Sequence, residues 1–385
     1  MRKVTYLDFA ATSAVRPPAV AAAVSHYLAD VGASAGRGGH RLANEAGRMA
    51  LHCRQRLAAL LGVPGDAGRI AFAANATHAL NTGIWGTVGR GERVVVTALE
   101  HNSVLRPAAR VARERDADVV MVAADIDGSL DMRGLERALD GARLFCLTAA
   151  SNVLGTRTDV AALAAMARAA GVLTLVDAAQ AAGHLPVDAA AVDMLAFTGH
   201  KGLLGPPGIG GLWVRDGLDV DPIITGGTGG NSLERDMPAA LPDRLEAGTL
   251  NGAGIAGLLA GADHVLAEGV ASLHARLSDL KLRLHHGLSG VRGLRVLSPP
   301  APDGVPIVTV TSDVVDAATF AARLDREHSI LTRAGLHCAP EVHRLLGTER
   351  TGAVRFSLGW CSSAHDVDRA VDAVSVIAAG RGARA

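Results

Sequence analysis

The chain has 385 residues, with 38 basic and 38 acidic side chains that cancel when histidine is neutral. That balance offers no basic footprint for nucleic acid or an anionic membrane. A hydrophobic share of 49% with 20% charged residues is that of a globular protein long enough for two domains.

Four cysteines, Cys53, Cys146, Cys338 and Cys361, are too scattered for a disulfide framework or a paired-cysteine metal site, and no metal is expected. The opening stretch MRKVTYLDFAATSAV carries Asp8 and lacks an unbroken apolar run, so it does not read as a secretory signal. The most apolar long stretch, 161–183, contains Arg168 and Asp177, which argues against a membrane span. The expected location is cytoplasmic.

Seven short apolar runs follow one another along the first part of the chain: RIAFAA (69–74), RVVVTAL (93–99), DVVMVAA (118–124), RLFCLTAA (143–150), VLTLVDAA (172–179), DMLAFTG (193–199) and GGLWVR (210–215). Their length and bounding residues predict strands buried on both faces. Alanine- and leucine-rich stretches with helical spacing lie between them, such as LEHNSVLRPAARVARER and DVAALAAMARAAG. The alternation predicts an α/β domain with a mostly parallel sheet. After about residue 255 a long helical stretch leads into GLRVLSPP, PIVTVTS, a helix near 316–328 and GAVRFSLGW. This predicts a smaller α+β domain with the long helix as connector. The expected division is 14–255 and 256–385, joined by the segment 1–13.

The strand VLTLVDAAQ carries its one ionised group, Asp177, at its carboxyl end, where open α/β sheets bind ligands. A carboxylate in such apolar surroundings needs a cation or a donor. Gln180 follows, then Thr198, His200 and Lys201 in a bend too rich in glycine for a plain helix. A pyridinium ring to pair with the acid, an aldehyde to condense with the amine and a phosphate belong to one ligand, pyridoxal phosphate. GPPGIGG (205–211) lacks the G-x-G-x-x-G spacing of a dinucleotide loop and is not read as one.

LVDAAQAAGH and FTGHKGLLGPPGIGGLWV resemble the lysine region of class V aminotransferases, specifically the cysteine desulfurase family. YLDFAATSAV (6–15), FAANATHALN (72–81), ALEHNSVLRP (98–107), ASNVLGT (150–156), RLEAGTLN (244–251), RAGLHCA (333–339) and VRFSLGW (354–360) resemble further segments of that family in the same order. The resemblance implies a pyridoxal-phosphate-dependent transferase of fold type I. It also implies a large domain with a mostly parallel seven-stranded sheet, a smaller α+β domain, and a homodimer.

The resemblance further implies that Lys201 binds the cofactor and shuttles a proton, Asp177 holds the ring nitrogen protonated, and His101 stacks on the ring. Gln180 and Asn152 would lie near the ring hydroxyl and the substrate, and Ala11 near the substrate. Ala76 and Thr77, opening a helix, would hold the phosphate with Thr198 and His200, because helix N-termini favour anions. Thr249 would reach the phosphate bound by the partner subunit, and Arg355 would grip the substrate carboxylate in a bidentate pair.

RAGLHCA resembles the short-loop, second-type form of the cysteine segment. It implies that Cys338 takes sulfur from L-cysteine as a persulfide, releases alanine, and passes the sulfur to an acceptor protein. His337 and Arg333 are placed to favour the thiolate. Another class V reaction, in which Cys338 is no nucleophile, stays open: a carbon–sulfur or selenocysteine lyase, an epimerase or an aminotransferase. So does a noncatalytic scaffold with a relic site. Cys53, Cys146 and Cys361 are expected to be structural. Three departures from the family pattern fall near the expected substrate mouth: Phe9 in place of Asn, His78 in place of an acid, and WCSS where Y-N-T is usual.

Overall fold

The computed structural model describes residues 4–36, 38–230 and 233–380. The chain begins with β1 (Thr5–Tyr6), α1 (Pro18–His26), α2 (Arg41–Leu60), β2 (Ile70–Ala73), α3 (Ala76–Thr87), β3 (Arg93–Thr97), α4 (Asn102–Arg115) and β4 (Asp118–Val122). It continues through α5 (Met132–Leu139), β5 (Ala142–Thr148), α6 (Val160–Ala169), β6 (Leu173–Asp177), β7 (Met194–Thr198) and β8 (Gly210–Val214). Then come α7 (Gly252–Glu268), α8 (Val270–Ser289), β9 (Leu294–Val296), β10 (Ile307–Ser312), α9 (Ala317–His328), β11 (Ile330–Leu331), β12 (Arg333–Gly335), α10 (Pro340–Leu345), β13 (Ala353–Ser357) and α11 (Ala364–Ala378).

The seven expected strands form one sheet in the order β2-β8-β7-β6-β5-β3-β4. Pairing is parallel from β7 through β4 and antiparallel where β8 lies between β7 and β2. The inner strands are buried along their length, with Val94–Val96, Leu144–Leu147, Leu175–Val176 and Met194–Phe197 at 0–1% exposure. That is why they read as unbroken apolar runs rather than as alternating ones.

The edge strand β2 is held by a buried ion pair. Arg54 of α2 donates to both carboxylate oxygens of Glu246 at 2.7 Å and to the Ile70 carbonyl at 3.0 Å. Glu246 in turn accepts the Phe72 N–H, and the guanidinium lies 4.5 Å from the centre of the Phe72 ring. Both charges are therefore hydrogen-bonded as well as paired, which is the condition for burying them.

A second sheet, antiparallel and in the order β12-β13-β10-β9, is covered by α8, α9 and α11. The expected single connecting helix is two helices. Gly269, at φ 79°, ends α7 and begins α8, because a left-handed φ is open to glycine and interrupts the helical ladder. The apolar face of α7 packs on α1 and α2 and joins the core of the large sheet, while α8 packs on α11 over the small one. The segment before α1 crosses between the sheets: β1 pairs in parallel with β11, and Asp8 bridges to Ser357.

Candidate active site

A cavity opens beyond the carboxyl ends of β5, β6 and β7, as the topology dictates. Ten residues predicted from the sequence line it together: Lys201, Asp177, Gln180, His101, Ala76, Thr77, Asn152, Thr198, His200 and Arg355. Ala11 lines it as well.

Asp177 is the last residue of β6 and sits at the bottom, 5% exposed. One of its oxygens accepts the Ala179 N–H at 2.9 Å. Burial raises its pKa, and the Lys201 amine pulls in the other direction. Beside it lies an acid that the sequence did not single out. Glu100 is fully buried, and one of its oxygens accepts from the Thr97 hydroxyl at 2.7 Å and the Thr148 N–H at 2.9 Å. Burial, with the Asp177 charge adding to it, pushes Glu100 up to about 8. That shift favours the neutral form of Glu100 near physiological pH.

Lys201 sits in the bend between β7 and β8. Backbone bonds from Gly199 to Ile209, Leu204 to Lys201 and Gly205 to Gly199 close that bend. The N-terminal segment clamps it from the other side: Ser13 donates its N–H to the His200 carbonyl and its hydroxyl to the Lys201 carbonyl. Burial lowers the Lys201 ammonium to about 8, against the pull of Asp177 and with help from Arg355 and Arg333. A neutral, nucleophilic amine is thus accessible near physiological pH.

His101 caps α4 by accepting the Ser103 N–H at 3.0 Å. Burial and the Lys201 charge bring it down to about 4, so its ring is neutral. Ala76 begins α3, whose N-cap is Asn75. Thr77 hydrogen-bonds at 2.7 Å to Ser103, a cavity residue that the sequence reading passed over although it lies two positions after His101.

Arg355 comes from the middle of β13 and is 1% exposed. It donates to Asp8 at 3.0 Å and to the Asn152 carbonyl at 3.1 Å. Asn152 donates its own amide to the His337 carbonyl at 2.7 Å, and Gln180 donates to the Ala10 carbonyl at 2.9 Å.

The residues present fit pyridoxal phosphate on grounds internal to the structure. The Thr198 hydroxyl, His200 Nδ1 and Arg355 Nε are buried without hydrogen-bond partners among the described residues. Native proteins rarely leave such groups unsatisfied. An anionic ligand held at the start of α3 and reaching Lys201 and Arg355 supplies the missing acceptors.

Two predicted residues stand apart from the lining. Thr249 lies on an exposed turn facing a separate cleft with Phe72, His78 and Ile224. Cys338 is half-buried behind His337, with its sulfur 3.8 Å from the Arg333 guanidinium. His337 does not favour a thiolate by its charge. Burial, with Arg355 adding to it, lowers it to about 3, so the ring is neutral. Cys53 and Cys146 are buried thiols pushed up by burial, as expected of structural cysteines. Cys361 is exposed rather than packed.

The fold and this cavity define a class V aminotransferase. The model of the family described as "Aminotransferase class-V" matches residues 5–370, and the chain belongs to that family. Among curated proteins it is 34% identical over 376 residues to a probable cysteine desulfurase of Methanothermobacter thermautotrophicus, covering 95% of this chain and 93% of that one. It is 32% identical to a cysteine desulfurase of Haloferax volcanii, covering 96% and 88%. Among solved structures it superposes on the apo cysteine desulfurase of Thermococcus onnurineus with a TM-score of 0.91 at 30% identity, covering 98% and 95%. With the cysteine desulfurase CsdA of Escherichia coli, in its S-sulfonic acid form, the TM-score is 0.87 at 28% identity, covering 96% and 94%.

No helix among the described residues is long and apolar enough to cross a membrane.

Proposed function

We infer that the protein is a pyridoxal-phosphate-dependent cysteine desulfurase, and propose that it takes sulfur from L-cysteine onto Cys338. The observation that carries this is the cavity in which Asp177, Lys201, His101 and Arg355 converge, with the Cys338 sulfur 3.8 Å from the Arg333 guanidinium of its lining.

When bound, pyridoxal phosphate supplies the electron sink that stabilises a carbanion at the substrate's α-carbon. Asp177 would pair with its ring nitrogen and keep it protonated, and the neutral His101 ring would hold the cofactor ring from one side. Ala76, Thr77, Thr198 and His200 would hold the phosphate. The Lys201 amine would anchor the cofactor and would carry the substrate's α-proton. Arg355 takes the substrate carboxylate, with Asn152, Gln180 and Ala11 along the substrate's path.

The Cys338 thiolate attacks the substrate sulfur. An S–S bond forms and the carbon–sulfur bond breaks. The electron pair returns to the β-carbon, which takes a proton, leaving alanine and a persulfide on the enzyme. No external oxidant enters the balance. An acceptor protein then takes the sulfur.

The wider arrangement belongs to the same proposal. A large lobe over 14–255 and a small one over 256–385 meet at the cavity, with α7 and α8 as connector. Thr249, exposed on a turn that shares a cleft with the half-exposed Ile224, reaches the site of a second copy in a homodimer. The protein works in the cytoplasm.

The test compares wild type with Cys338→Ala, each loaded with cofactor and given L-cysteine. Alanine release and a persulfide mass on Cys338, both lost in the variant while the cofactor absorbance stays, support the reading. Alanine release undiminished in the variant overturns it in favour of a lyase.

A further inference from the structure

Behind the cavity wall, two histidines and a threonine form a buried chain that ends at the cysteine turn. His337, His343 and Thr348 are 3%, 0% and 4% exposed. His337 Nδ1 lies 3.2 Å from His343 Nε2, and His343 Nδ1 lies 2.8 Å from the Thr348 hydroxyl. At the other end, His337 Nε2 lies 3.1 Å from the Arg333 carbonyl. The two rings are 27° from parallel.

The terminal carbonyl fixes the direction of every bond. A carbonyl only accepts, so His337 Nε2 carries a hydrogen. Both rings are neutral, His337 down to about 3 and His343 down to about 4 through burial. His337 Nδ1 is therefore an acceptor, and His343 Nε2–H must donate to it. His343 Nδ1 is left to accept from the Thr348 hydroxyl. One set of tautomers satisfies the whole chain.

The backbone at its end needs holding. His337 and Cys338 lie at φ 49° and 57°, two consecutive non-glycine residues in the left-handed region, a conformation that persists only where its surroundings impose it. Asn152 donates to the His337 carbonyl at 2.7 Å and Asn102 N–H donates to the Cys338 carbonyl at 2.8 Å. Those two bonds pin the main chain. The histidine chain pins the His337 side chain beside them.

We propose that His343, oriented by Thr348, is a positioning residue that locks His337 through a donated hydrogen bond and thereby holds Cys338 in its left-handed turn. The proposal rests on the reading of Cys338 as the sulfur-accepting nucleophile. What it adds is that the nucleophile is presented by a preorganised turn and not by a loop that orders on demand.

The experiment measures iodoacetamide alkylation of Cys338 by mass and steady-state kinetics with L-cysteine, on cofactor-loaded wild type, His343→Leu, His343→Gln and Thr348→Val. Glutamine keeps an N–H donor toward His337 and leucine does not. His343→Leu is expected to change the alkylation rate about tenfold and to lower kcat by a similar factor with KM unchanged. His343→Gln is expected to recover most of the wild-type rate, and Thr348→Val to lie between. Equal impairment of the leucine and glutamine variants overturns the proposal, because a space-filling role does not distinguish a donor from an isobutyl group. Wild-type rates in His343→Leu overturn it as well. If His343→Leu does not fold, wild-type rates in Thr348→Val overturn it. Alkylation needs no turnover, so a Cys338→Ala enzyme that still releases alanine sinks the desulfurase reading without altering this result.

Discussion

Asp8 and Arg355, 347 positions apart, are joined by a 3.0 Å ion pair between the N-terminal segment and the middle of the small sheet. Arg355 has one further bond, to the Asn152 carbonyl, and its Nε stays unpartnered among the described residues. The pair thus spends part of the guanidinium on the fold and aims the rest into the cavity. Removing one partner of a buried pair is costly because the other charge is left uncompensated, up to about 3–5 kcal/mol at full burial; Asp8, a fifth exposed, places this case lower. Asp8→Asn is expected to lower Tm and raise KM for L-cysteine severalfold with little change in kcat. An unchanged KM beside a lowered Tm would make the pair structural only.

On the proposed function, Lys201 attaches the cofactor through its neutral amine. With its pKa brought down to about 8 by burial, the rate at which cofactor-free protein captures added pyridoxal phosphate should rise as pH climbs through about 8 and then level off. A rate still climbing toward the range of an ordinary lysine would contradict the burial argument. Lys201→Ala should show no such attachment by absorbance at any pH.

Glu100 has the opposite linkage. Its pKa is raised to about 8 in the fold from an ordinary value of 4.5, so the folded state holds a proton that the unfolded state has lost. The stabilisation is full below 4.5 and is lost as pH rises through about 8. Glu100→Gln, neutral at every pH, should flatten the decline in stability between pH 5 and 9 in urea titrations. A decline as steep as wild type would show that Glu100 is not the group responsible.

Gly155 lies at φ 71°, and a methyl group there would meet the Ile307 carbonyl at 2.7 Å. Gly155→Ala therefore adds a clash to an unfavourable backbone conformation, together of order 1–3 kcal/mol. Calorimetry should show a lower Tm. Because the same loop carries Asn152, kcat should fall as well.

The architecture of the large lobe was legible in the sequence because its strands are buried on both faces. A run such as RLFCLTAA can hardly be anything else at that length. Asp177 and Lys201 were legible for the complementary reason, each being a lone charge in apolar surroundings. The break at Gly269 was missed because glycine also occurs within helices, as at Gly254, Gly257 and Gly261 of α7. Glu100 was missed because polar His101 and Asn102 follow it directly, and Asp8 because its partner Arg355 lies 347 positions away. His343 and Thr348 were invisible for a different reason. Their roles depend on a tautomer, which is set by a carbonyl ten positions upstream of His343 and by nothing in the pattern of residue types.

The crossing of the N-terminal segment sets an order of assembly. Thr5 pairs with Ile330, its hydroxyl reaches Asp366, and Asp8 waits for Arg355. These residues thus leave the ribosome hundreds of positions before their partners. The large sheet can form during synthesis from neighbours close in sequence, but the cavity closes only when the C-terminal strands arrive. A chain stalled or clipped before residue 330 would carry Lys201 and Asp177 on a sheet with no roof. Such fragments are expected to fold in part, leave the site open to water, and capture cofactor poorly.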